Sequence, residues 1–109
     1  MKIVFLPEVL EYFNELSTVL YEKKYFGFED SALEYVDDLF ENIKNTLHLC
    51  VKKPAPAYFD RFGENMLYAV FRKNKMTEWY VFFNLYREED DTTLVIRYIS
   101  NNHVIAQYL

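Results

Sequence analysis

The chain has 109 residues, of which 51% are hydrophobic and 27% charged, and it carries a formal net charge of −5. That length and apolar content predict one globular domain, residues 1–109, and exclude a disordered chain. The acid excess excludes charge-driven binding to naked nucleic acid, which rests on Lys and Arg neutralising phosphate; a local basic patch stays open.

No apolar run reaches the length of a membrane span. Pro7 and Glu8 interrupt the first apolar run too early for a signal peptide. A single cysteine, Cys50, leaves no internal disulfide and fits a reducing compartment, so the expected location is cytoplasmic.

In chain order, Lys2–Leu6 is short and β-rich and predicts a strand, which Pro7 ends. Proline suits the first turn of a helix, where its missing N–H costs nothing. From Glu8 to about Lys24, Val9, Phe13, Leu16 and Leu20 form one helical stripe. Tyr25-Phe26-Gly27 reads as a connector, with Gly27 supplying the backbone angles of a helix exit. A second helix is expected from about Glu29 to Leu49. Its stripe is Leu33, Val36, Phe40, Ile43 and Leu47, and Glu29 and Asp30 favour its start. The short link predicts an antiparallel helical pair.

Lys52–Gly63 holds the remaining prolines and reads as irregular. Three strands are expected after it, Met66–Lys73, Glu78–Tyr86 and Thr93–Ser100, with polar links that favour antiparallel hairpins. The predicted class is therefore α+β: an N-terminal strand, a helical hairpin and a three-stranded antiparallel meander in one curved sheet, with helices on one face. Strand alternation assigns the faces. Leu67, Ala69, Phe71, then Trp79, Val81, Phe83, Leu85, then Leu94, Ile96, Tyr98 are placed against the helices. Tyr68, Val70, Arg72, then Tyr80, Phe82, Asn84, then Val95, Arg97, Ile99 are placed outward. The outward side is expected to be bare and to meet the biological target.

Motifs for chemistry are few. His48 and His103 stand in different elements and Cys50 is alone, so no zinc spacing exists, and no cofactor is expected. Gly27 and Gly63 are the only glycines, which leaves no phosphate-binding loop. The end of the chain is richer. Arg97, Asn101, Asn102, His103 and Tyr108, with the outward Tyr68, Arg72 and Tyr80, combine proton carriers with cations. Those are the parts a metal-free RNA cleavage needs, since the 2′-hydroxyl of the RNA is the nucleophile. Tyrosine rings could also stack on unpaired bases. The competing structural reading is that Tyr108 and Leu109 pin the C-terminus to the core and that Asn101-Asn102 makes a turn.

The runs Ile3-Val4-Phe5-Leu6-Pro7-Glu8, Leu67-Tyr68-Ala69-Val70-Phe71-Arg72, Trp79-Tyr80-Val81-Phe82-Phe83 and Val95-Ile96-Arg97-Tyr98-Ile99, with the acidic second helix between, resemble the RelE/ParE superfamily of type II toxin–antitoxin toxins. The resemblance spans nearly the whole chain. It implies either a ribosome-dependent mRNA endonuclease or a non-enzymatic inhibitor of DNA gyrase, and a degenerate member that only binds its antitoxin is a further alternative. The catalytic candidates are His103, Tyr108, Arg72 and Arg97. Target-binding candidates are Tyr68, Lys73, Tyr80 and Asn102. Of the family's site positions, only the terminal tyrosine is matched in kind, by Tyr108. The implied partners are a cognate antitoxin and either the ribosome with its mRNA or gyrase, with no membrane; a homodimer stays open.

Overall fold

A computed structural model describes residues 1–24 and 26–109; Tyr25 of the expected connector lies outside the described residues. The fold is α+β. Strand β1 (Lys2–Phe5) leads into helix α1 (Pro7–Glu22) and helix α2 (Glu29–Thr46). A two-residue strand β2 (Lys53–Pro54) and a 3-10 turn at Ala57–Phe62 follow. Then come β3 (Leu67–Arg72), β4 (Glu78–Glu88), β5 (Asp91–Asn101) and a short helix α3 (Asn102–Ile105). The five strands form one sheet in the order β1-β5-β4-β3-β2. The sheet is mixed, because β1 runs parallel to β5 while the other neighbours are antiparallel.

Pro7 opens α1 at its first helical position, where no donor is lost. The helix ends at Glu22, earlier than expected, and Lys24 rather than Gly27 takes the left-handed backbone, with φ 61°. In α2 the buried positions are Ala32, Val36, Leu39 and Ile43, followed by Leu47. Leu33, placed on the stripe by spacing, is instead exposed. The buried stripe is rotated from that spacing, with Ala32 and Leu39 fully buried.

One core lies between the helices and the sheet. Val9, Phe13 and Leu16 of α1 and Val36, Leu39 and Ile43 of α2 meet Ala69, Phe71, Trp79, Val81, Phe83, Leu94, Ile96 and Ile99. The row Leu67–Phe83–Ile96–Phe5 crosses four strands on this face. Trp79 is almost fully buried, and its indole N–H donates to the Tyr35 hydroxyl at 2.9 Å, so its polar atom is satisfied. Burial of each such large side chain contributes roughly 1.5–3 kcal/mol.

Two expectations about the faces need correction. First, β5 changes phase. A bulge against Phe82/Phe83 pairs Tyr98 with Phe82 and Ile96 with Phe83, so Arg97 is the inserted residue. An extra residue reverses the alternation beyond it. Tyr98 therefore faces outward and Ile99 enters the helix-side core, the reverse of the strict period-two assignment. Second, the outward side is not bare. Phe59, Met66, Phe82 and Ile105 form a second buried cluster, with Tyr58, Tyr68, Tyr80 and Tyr98 packed against it. The segment read as irregular thus supplies both the fifth strand and a lid, and the C-terminal turn completes that lid. The cause is apolar demand: Phe82 sits in mid-sheet, and leaving it in water would forfeit its burial energy.

Tyr12 adds a pH dependence to this core. Burial, with Tyr98 adding to it, pushes its phenol up to about 12 from 10.0. The folded state therefore resists an ionisation that the unfolded chain undergoes from pH 10.0. Stability is fully present below pH 10.0 and is lost as pH rises toward 12, by up to about 2–3 kcal/mol. Urea titrations at stepped alkaline pH should show that fall, and Tyr12→Phe should flatten it.

Candidate functional site

Strand register builds the outward side row by row. Lys53, Tyr68, Phe82 and Tyr98 lie across four strands in one row; Val70, Tyr80 and Ser100 form the next; Arg72 and Glu78 form the third. The lid covers Phe82 and Tyr98 and reaches the near sides of Tyr68 and Tyr80. Phe59 stacks on Phe82 at 4.3 Å between ring centroids, and Phe62 stacks on Tyr98 at 3.8 Å. Gly63 allows this close approach, since a Cβ there would lie 2.7 Å from Arg97 Cδ. The half nearest β3 is left as a strip. Tyr68 and Tyr80 are half-buried with ring centroids 6.0 Å apart; Val70, opposite Tyr80, lies between Tyr68 and the exposed Arg72 along β3. Beside the strip, Cys50, Val51, Lys53, Tyr68 and Val70 line a shallow groove of about 380 Å³.

The structure gathers some of the candidate residues and disperses others. Arg72 is opposite Glu78, and its Nε–H donates to the Asn74 carbonyl at 3.3 Å. The Tyr80 hydroxyl donates to Glu78 Oε1 at 3.5 Å. Burial, and then the nearby Glu78 charge, hold the Tyr80 phenol above its ordinary value of 10.0. The Nε2 of His103 is 3.1 Å from the Thr77 hydroxyl, so the imidazole is anchored at the same end of the sheet. Asn102 lies between them: its Oδ1 accepts from the Glu78 N–H at 2.9 Å and its Nδ2 donates to the Met76 carbonyl at 3.1 Å. Asn102 thus ties the β3–β4 hairpin to the C-terminal turn. Asn102→Ala should lower stability by about 1–2 kcal/mol by thermal or urea unfolding, because a half-buried backbone N–H loses its partner.

Three candidates lie elsewhere. Tyr108 stacks flat on Tyr58 at 3.6 Å, and Arg61 caps the Tyr58 ring at 3.9 Å. Arg97 donates from Nε to Asn84 Oδ1 and from Nη2 to the Tyr86 hydroxyl at 2.9 Å. Lys73 sets its ammonium 4.8 Å from the Tyr35 ring centroid, toward the helices. Conversely, Lys53 was not among the candidates, although it shares the outward row of Tyr68. Its signal was the Lys52-Lys53 pair at the head of the proline segment, which alternation could not read without a strand.

Among the described residues, no group of three or more His, Cys, Asp and Glu could hold a metal ion, and no helix is long and apolar enough to cross a membrane. Compared with protein-family models, curated proteins and solved structures, the chain matches none of them.

Proposed function

We propose that this chain is the toxin component of a bacterial type II toxin–antitoxin system of the RelE/ParE kind, acting as a ribosome-dependent mRNA endoribonuclease through the uncovered strip. The observation that carries the reading is the juxtaposition of Tyr68, Tyr80 and Arg72 on that strip, with His103 anchored at the same end. The order of elements, a strand, two helices and then an antiparallel meander preceded by the short strand β2, is of the α+β kind that this reading calls for.

The chemistry follows from the side chains. Exposed aromatic faces stack on unpaired bases, each worth about 1–3 kcal/mol. The Arg72 and Lys53 cations meet the phosphates on either side of the rings. The 2′-hydroxyl of the RNA loses its proton to a base and attacks the adjacent phosphorus. The bond from phosphorus to the 5′-oxygen then breaks, and the departing oxygen takes up a proton, leaving a 2′,3′-cyclic phosphate and a 5′-hydroxyl. His103 is the candidate proton carrier, Tyr80 a neutral donor, and Arg72 the group that stabilises charge on the phosphorus oxygens.

A second reading has its own observation. Tyr108 is held against Tyr58, and Arg97 is held by Asn84 and Tyr86, so neither joins the strip. That dispersal favours a protein that only binds, either to gyrase or to its antitoxin. Primer extension on mRNA from a translation extract separates the readings. New 5′ ends that appear only with the protein and with ribosomes support the nuclease. Uncut mRNA together with gyrase supercoiling blocked by the purified protein supports the second reading.

A further inference from the structure

Strand β5 is longer than the strand beside it. Strand β1 pairs with it only from Thr93 to Ile96, and the chain then leaves the sheet at Leu6 to begin α1. Among the described residues, no strand lies beside Arg97–Asn101 on that edge. A groove of about 350 Å³ runs there between the first turns of α1 and the end of β5. Its floor is strand edge. Val9, Tyr12, Tyr98, Ile99, Ser100 and Val104 line it; Val9 and Ile99 belong to the helix-side core, and Tyr98 packs on the outward cluster. Val104 is 59% exposed despite its apolar side chain.

An extended peptide sends successive side chains to opposite sides, which is what a strand-edge floor between two different walls accommodates. The line is also continuous with an existing pairing, since an added strand would prolong the position that β1 vacates after Phe5. Charge indicates the composition. Glu8 lines the groove, and Glu8, Tyr12 and Glu15 share one face of α1 at helical spacing, with the exposed Glu11 alongside. Among the described residues, none of the three glutamates makes an ion pair. Arg97 turns its guanidinium away to Asn84 and Tyr86.

We propose that this edge groove receives an extended segment of a partner protein, with alternating apolar and basic residues, as an added strand beside β5. The occupant is separate from whatever meets the Tyr68–Tyr80 strip.

Backbone amide spectra of the full chain test this with three synthetic octapeptides. One alternates lysine and valine, one alternates glutamate and valine, and one carries the lysine–valine composition with two prolines substituted to block strand pairing. The lysine–valine peptide should shift and protect amides at Tyr98–Asn101 and around Tyr12. The glutamate peptide should bind about tenfold or more weakly, and the proline peptide should not protect those amides. The triple variant Glu8→Lys, Glu11→Lys, Glu15→Lys alters only exposed positions and should invert the preference. Equal binding of the basic and acidic peptides, shifts centred on Tyr68 and Tyr80, or no shift at millimolar peptide would overturn the proposal. So would concentration-dependent shifts at Tyr98–Asn101 without peptide, which would assign the groove to a second copy of this chain.

Discussion

Phe59→Ala is expected to lower the unfolding free energy by about 3–5 kcal/mol in a urea titration. Phe59 is fully buried although it belongs to the 3-10 turn Ala57–Phe62, outside the sheet's helix-covered face. Its ring stacks on Phe82 at 4.3 Å, lies edge-on to Tyr58 at 5.0 Å and approaches Phe62 and Tyr98. Removing it opens a cavity over Phe82 that neighbouring aromatic rings are too stiff to fill. Phe28, 76% exposed, is the control, and its alanine variant should change stability by less than about 0.5 kcal/mol. A loss below about 1 kcal/mol for Phe59→Ala would mean that the second cluster does not form in solution and that the outward side is open after all.

The other large expected effect is on activity. Arg72→Ala should lower mRNA cleavage in a translation extract by about 10²–10³-fold, since losing one group placed against developing transition-state charge costs about 2.7–4 kcal/mol once bound RNA excludes water. Tyr80→Ala should lower it by about tenfold or more through lost stacking. Tyr108→Phe keeps the ring stacked on Tyr58 and should leave cleavage within about twofold. Folding does not confound Arg72→Ala, because Arg72 is exposed; Tyr80 packs against the second cluster, so Tyr80→Ala is compared with Tyr80→Phe at matched unfolding midpoints. If Tyr108→Phe abolishes cleavage while Arg72→Ala does not, the reacting groups are at the C-terminal stack, not on the strip.

Particular residues explain which parts of this fold are legible in the sequence. The faces of β3 and β4 follow from alternation because Ala69, Phe71, Trp79, Val81 and Phe83 obey period two without interruption. The α1 stripe is legible for the same reason at helical period. Beyond the bulge the logic fails, because Arg97 reads like any other strand residue and nothing local marks it as inserted. The lid was hidden differently. Pro54 and Pro56 make Lys52–Gly63 look like loop, and Phe59 lies there without a periodic partner. Only its long-range contact with Phe82 gives it a place in the fold. The site was half legible. Tyr68, Arg72 and Tyr80 follow from strand alternation, and Asn102 and His103 are at the same end. Tyr108 and Arg97 were grouped with them by proximity in sequence, and tertiary packing holds them at Tyr58 and at Asn84.

On the proposed reading the outward side divides into a closed half and a working half. A photoreactive benzoyl-phenylalanine placed at Val70, between Tyr68 and Arg72, and a second placed at Tyr108 measure that division directly in a translating extract. Cross-links to mRNA or ribosomal RNA should form from position 70 and not from position 108. Cross-links from position 108 alone, or from neither position, would contradict it.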